Sequence, residues 1–221
     1  MRHFDMEMND LKSRLVDMAG LVQQMLKATT DELVSRDPNL SETVFALEKE
    51  VNVQEIVIDD RCLKLIALNQ PVGADLRFIT SAMRINSDLE RMADEAVNIS
   101  EIALDLLKYP QLKPLIDIPK MVSAVQQMVA DSIQAFNKSD VELARSVLEK
   151  DDEVDDLERL VFKDLKVFMT KSSDPNTIHT AVDLILVARC IERIGDHATN
   201  ISEDVIFMVH GKDIRHPKNF K

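Results

Sequence analysis

E-R-M-A-D-E-A-V-N-I-S-E, residues 90–101, and E-R-I-G-D-H-A-T-N-I-S-E, residues 192–203, are one phrase written twice. Eight of the twelve positions are identical, in register, at an offset of 102 residues. Neither copy alternates as a strand would, and both continue an apolar pattern of helical period. A helix turns about 100° per residue, so positions four apart fall nearly in line. Glu90, Asp94, Asn98 and Glu101 therefore share a face roughly 80° wide, as do Glu192, Asp196, Asn200 and Glu203. An exposed helix face ordinarily mixes acids with bases at this spacing. Three acids and an amide with no cation among them repel one another unless something positive sits on them.

A repeat of this period divides the 221 residues into two similar halves. Leu, Ile, Val, Met and Ala fill the positions between charges, aromatics are 4%, Trp is absent and Gly occurs 4 times, which reads as all-α. The formal net charge of −12 excludes a basic footprint for nucleic acid. No stretch is apolar enough to insert into a membrane, and no leader-like segment opens the chain, so a cytoplasmic protein is expected. Cys62 and Cys190 lie far apart in apolar helical stretches and read as buried free thiols.

Taken in order, helices are expected at about 10–34, 38–69, 74–108, 120–136, 139–170 and 175–210. Asp37 with Pro38, Asp75, a Ser139/Glu142 capping box and Asp174 with Pro175 supply the starts, and Gly211 the final stop. The plan is two tandem three-helix bundles, residues 1–109 and 120–211. The proline-containing stretch 110–119 links them, and a tail over 212–221 is expected to fray. The second helix carries another acidic stripe, Glu48, Asn52, Glu55 and Asp59. The fifth carries Asp151, Asp155 and Glu158, with Phe162 where Asp59 has its counterpart. Helices two and three, like five and six, are antiparallel neighbours, so their stripes can face each other. Carboxylate and amide oxygens without thiolate or clustered imidazole suit hard cations. Mg, Mn, Ca or Fe fit this donor set, and Zn fits as an ion acquired on crystallisation. His197 lies about 140° around the helix from Glu192, off the stripe. Arg91 and Arg193 are expected to pair with carboxylates of a neighbouring helix.

With E-R-M-A-D-E-A-V-N-I, E-R-I-G-D-H-A-T-N-I and N-Q-P-V-G-A-D-L-R (residues 69–77) in hand, the chain resembles the PhoU family over nearly its whole length. That resemblance implies two three-helix bundles side by side, with E(D)-x-x-x-D pairs holding metal clusters. In this chain the pairs are Glu90 with Asp94, Glu192 with Asp196, Asp151 with Asp155, and Glu48 with Asn52, where an amide replaces the second acid. It also implies a negative regulator of phosphate uptake and of the phosphate-starvation regulon. Such a regulator links the ATPase subunit of the phosphate ABC transporter to a sensor histidine kinase, commonly as a homodimer. The rival class is a di-metal carboxylate enzyme of ferritin-like type. Those use Glu-x-x-His pairs inside a four-helix core, and no E-x-x-H occurs here. No phosphate loop or nucleophile motif is present either. The reading is a non-enzymatic binding protein.

Overall fold

The structure, a computed structural model, describes residues 3–113 and 115–214. Within them lie six helices: α1 (His3–Ser35), α2 (Asn39–Asn69), α3 (Gly73–Leu106), α4 (Asp117–Lys138), α5 (Val141–Lys171) and α6 (Pro175–His210). α1, α2 and α3 pack on one another, and so do α4, α5 and α6. The two bundles then meet through α3 against α6 and α1 against α4. Among the described residues α2 touches only α1 and α3, and α5 touches only α4 and α6.

Burial follows from these positions. α2 buries Val44, Val51, Ile58, Cys62 and Leu65, and α5 buries Ala144, Val147, Val154, Val161 and Leu165. Each set is one narrow stripe at spacings of three, four and seven, as an outer helix with one covered side requires. α3 and α6 serve both their own bundle and the other, and their buried positions run almost all round, from Ile79 to Leu106 and from Thr180 to Met208. Phe136 of α4 is fully buried, its ring stacked 5.4 Å from that of Phe78 on α3 and so across the bundle boundary. Cys62 and Cys190 are buried free thiols, as expected.

Several boundaries differ from the expected ones, each for a local reason. α1 begins at His3 rather than near Asp10, because Phe4 and Met8 extend the spacing of Leu11 and Leu15 and pack on the core. α4 begins at Asp117, and Pro119 sits in its first turn, where a backbone N–H has no helical partner to lose. The described part of the non-helical link is thus residues 107–113 and 115–116. Ser139 does not form a capping box: it takes a left-handed conformation (φ 54°) that closes α4. Asp140 caps α5 instead, accepting from the Leu143 N–H at 3.0 Å. Asp75 lies inside the first turn of α3, behind Val72 at the cap position. Asp174 and Gly211 behave as expected: Asp174 accepts from two amides ahead of Pro175, and Gly211 closes α6 at φ 70°. Asp37 lies one residue too early: Pro38 takes the cap position of α2, which begins at Asn39, although Asp37 still accepts from the Asn39 N–H at 3.0 Å. Arg36 ties the end of α1 to the link, donating to the carbonyls of Leu106 and Tyr109 at 2.8 and 2.7 Å. Ile214 packs on the core, and residues 215–221 of the expected tail lie outside the described residues.

Candidate functional site

The α2 and α3 stripes come together on one side of the first bundle. Asn52 donates to the Glu48 carboxylate four residues earlier, and its own Oδ1 is buried without a partner. Burial pushes the Glu55 carboxyl above its ordinary range, helped by the charges of Asp59 and, from α3, Asp94. Burial likewise raises Glu90, followed by the charges of Asp94 and Glu55, against a small opposing pull from Arg91. Asn86, one helical turn before Glu90, donates to the Glu55 carbonyl at 2.9 Å and to Asp59 Oδ1 at 3.0 Å. Sequence reasoning missed Asn86, although its four-residue step from Glu90 extends the same stripe.

The second bundle repeats the arrangement with more charge. Asp151 on α5 is pushed up to about 6 by burial, then by Asp196, Asp155 and Asp152. Glu192 on α6 is pushed up to about 7 by burial, then by Asp196, Glu158 and Asp155, with Arg189 pulling the other way. Asp196 is raised by burial and by Asp155, against His197 and Arg193. Arg159 pairs with Asp156 at 3.1 Å and reaches Asp155 only at 3.8 Å, from a position 64% exposed. Phe162, in the place of Asp59, is half exposed and leaves this face without its fourth polar position.

The two asparagines of the signatures go elsewhere. Asn200 donates to Asp88 of α3 at 3.3 Å, and Asn98 to Glu95 on its own helix at 3.2 Å. Each four-residue step rotates the stripe by about 40°, so two steps carry it from one neighbouring helix to the next. Glu192 therefore addresses α5 while Asn200 addresses α3. Both asparagines line a cleft of about 530 Å³ between α3 and α6, together with Arg91, Asp94, Arg193 and Asp196. Arg193 pairs across it with Glu95 at 3.1 Å, as expected. Arg91 forms no such pair among the described residues, because the position matching Glu95 in the second signature is His197. That histidine, off the stripe as expected, lies instead 2.8 Å from Asp88. No sequence signal marked Asp88.

The donor set fits a hard cation. It consists of carboxylates raised by burial and by one another's charge, with the Asn52 amide oxygen left over. Among the described residues, no three of the stripe acids bring an oxygen each to within 4.8 Å of one another.

The domain model described as PhoU domain matches residues 15–103 and 118–205, one copy per bundle. A phosphate-specific transport system accessory protein PhoU homolog from Aquifex aeolicus is 40% identical over 210 residues, covering 95% of this chain and 94% of its own. That of Pseudomonas aeruginosa is 34% identical over 216 residues, 97% and 88% of the two chains. The crystal structure of PhoU from Pseudomonas aeruginosa superposes with a TM-score of 0.88 at 34% identity, over 95% of this chain and all of that one. The phosphate transport system regulatory protein PhoU from Streptococcus pneumoniae gives 0.87 at 25%, over 96% and 99%.

Proposed function

The chain belongs to the PhoU family, and from that premise we propose that it is a non-enzymatic negative regulator of phosphate uptake and of the phosphate-starvation response. It acts by binding: to the ATPase subunit of a phosphate ABC transporter, to a sensor histidine kinase, and to a second copy of itself. Its relatives are named as accessory or regulatory proteins of phosphate transport over nearly the same length. The observation that carries the reading is the placement of the duplicated charge. Both acidic faces lie on the outside of apolar three-helix bundles, open to solvent and partners, and not in a four-helix core of ferritin type. α2 also presents Val53, Ile56 and Leu63 within about 80° of one another, each more than half exposed. Such an apolar strip on a charged surface suits a protein contact. No helix of the described residues is long and apolar enough to cross a membrane. We place the protein in the cytoplasm, reaching its membrane-bound partners by protein contacts.

Hard cations would be held by Glu48, Asn52, Glu90 and Asp94 on the first bundle and by Asp151, Asp155, Glu192 and Asp196 on the second. Bound there, a cation supplies charge neutralisation, letting the paired helices close on each other. An ensemble regulator of this kind works only through different affinities for its partners' states. A strain lacking the protein is therefore expected to express its starvation response in abundant phosphate. Alkaline phosphatase output at high phosphate, with and without complementation by the intact gene, is the measurement. Output that stays repressed in the deletion strain rules out the negative-regulator reading.

A further inference from the structure

At the end of the α3–α6 contact farthest from Arg77, beside the link, three side chains converge that belong to neither acidic face. Asp105 lies in the last turn of α3, and His179 and Asp183 lie one turn apart at the start of α6. Each contributes one ligand atom, and the three atoms lie within 4.8 Å of one another, the closest such group among the described residues. His179 Nε2 is 2.8 Å from Asp105 Oδ2 and 3.4 Å from Asp183 Oδ2. Asp105 Oδ1 is held separately by the Lys108 ammonium. The Tyr109 ring packs on the imidazole, 4.6 Å between centroids and tilted by 55°.

We infer that Asp105, His179 and Asp183 form a divalent-cation site for a borderline ion of the zinc type, clamping the two bundles together. A single Nε2 proton serves one carboxylate, and the shorter distance gives it to Asp105. Asp183 is 9% exposed, and its Oδ2, aimed at the same nitrogen, has no hydrogen-bond partner. Leaving a buried carboxylate oxygen without a hydrogen bond is costly, even beside a charge it can pair with. A cation in place of the proton satisfies both acids at once. Zinc bonds to imidazole nitrogen and carboxylate oxygen are about 2.0–2.2 Å, so in a tetrahedral site the ligand atoms stand ~3.3 Å apart. Asp183 already stands at 3.4 Å from Nε2, and Asp105 needs to retreat by only about half an ångström. The imidazole nitrogen separates this site from the acidic faces, whose oxygen donors favour harder ions. The site does not depend on the regulatory reading or on those faces.

The test is zinc binding by the full chain, with His179→Gln and Asp105→Asn as variants and circular dichroism to confirm that each stays helical. Any zinc taken up by the acidic faces is common to all three proteins, so the decisive quantity is the difference. The wild type is expected to bind one more equivalent of Zn²⁺ than either variant. Its His179 ring nitrogens, followed by ¹⁵N-histidine NMR, should shift in step with that equivalent. Equal stoichiometry in wild type and variants, with the His179 resonances unmoved, overturns the site. Both positions are at least partly exposed, so neither substitution is expected to unfold the chain and either result stands alone.

Discussion

Raising free Mn²⁺ to a hundred times its dissociation constant is expected to stabilise the chain by about 2.7 kcal/mol per occupied site, as binding to the folded state alone requires. In Glu192→Ala/Asp196→Ala the share owed to the second bundle should vanish. The pH dependence of the metal-free protein tests the same face independently. Asp151 and Glu192 have ordinary values of 3.8 and 4.5, and in the folded chain they titrate at about 6 and about 7. Between pH ~4 and ~7 the folded state therefore holds more protons than the unfolded one, and stability falls as pH rises through that window. It is greatest where both groups are protonated in either state and is fully lost once pH passes the folded values. Both groups are partly exposed, so solvent screening limits the combined loss to on the order of 1–2 kcal/mol. Calorimetry without metal should give a lower Tm at pH 8 than at pH 5, and Mn²⁺ should close the gap at pH 8. A Tm that ignores both pH and Mn²⁺ would show that these acids are an ordinary solvated face.

Phe136→Ala should cost about 3–5 kcal/mol, the range for truncating a fully buried aromatic. The ring fills the space between α4 and α3 and stacks on Phe78 at an interplanar angle of 18°. Its loss leaves a cavity at the boundary between bundles, where the backbone of two long helices cannot easily collapse inward. Phe78→Ala should cost less, because Phe78 keeps partial contact with solvent. The double variant should reveal a coupling of about 0.5–1.5 kcal/mol between the rings. Urea unfolding of the four proteins supplies the cycle. A cost below ~1 kcal/mol for Phe136→Ala would mean that the two bundles do not depend on this contact.

The six helices were legible because the apolar spacing along each is regular and the breaks fall on Pro, Gly and Asp. Boundaries slipped where two capping residues compete. Ser139 and Asp140 are both good N-caps, and only the left-handed turn closing α4 decides between them. The acidic faces were legible as well, since a four-residue repeat of acids projects onto one side of a helix wherever the helix goes. What the stripe does at its far end was not. Whether Asn200 meets α5 or α3 depends on how α6 is rotated within the assembly, and that is settled by packing across 100 residues of sequence. For the same reason Asp88, Asp105, His179 and Asp183 carried no signal: each is unremarkable alone and acquires a partner only when α3 and α6 align.

That alignment has a consequence for how the protein is made. α3 and α6 run antiparallel, and their contacts keep one register from Arg77 with Met208 through Ser81 and Arg84 with Asp204, and Asp88 with His197, to Glu95 with Arg193. The two partners are 102 residues apart in the chain. At a synthesis rate of about 5–20 residues per second, α3 leaves the ribosome roughly 5–20 s before α6 is there to cover it. Exposed apolar surface over such an interval invites aggregation. Here the waiting side of α3 sets two arginines, a serine and two acids among its apolar positions, which lowers that hazard while the second bundle is still being translated.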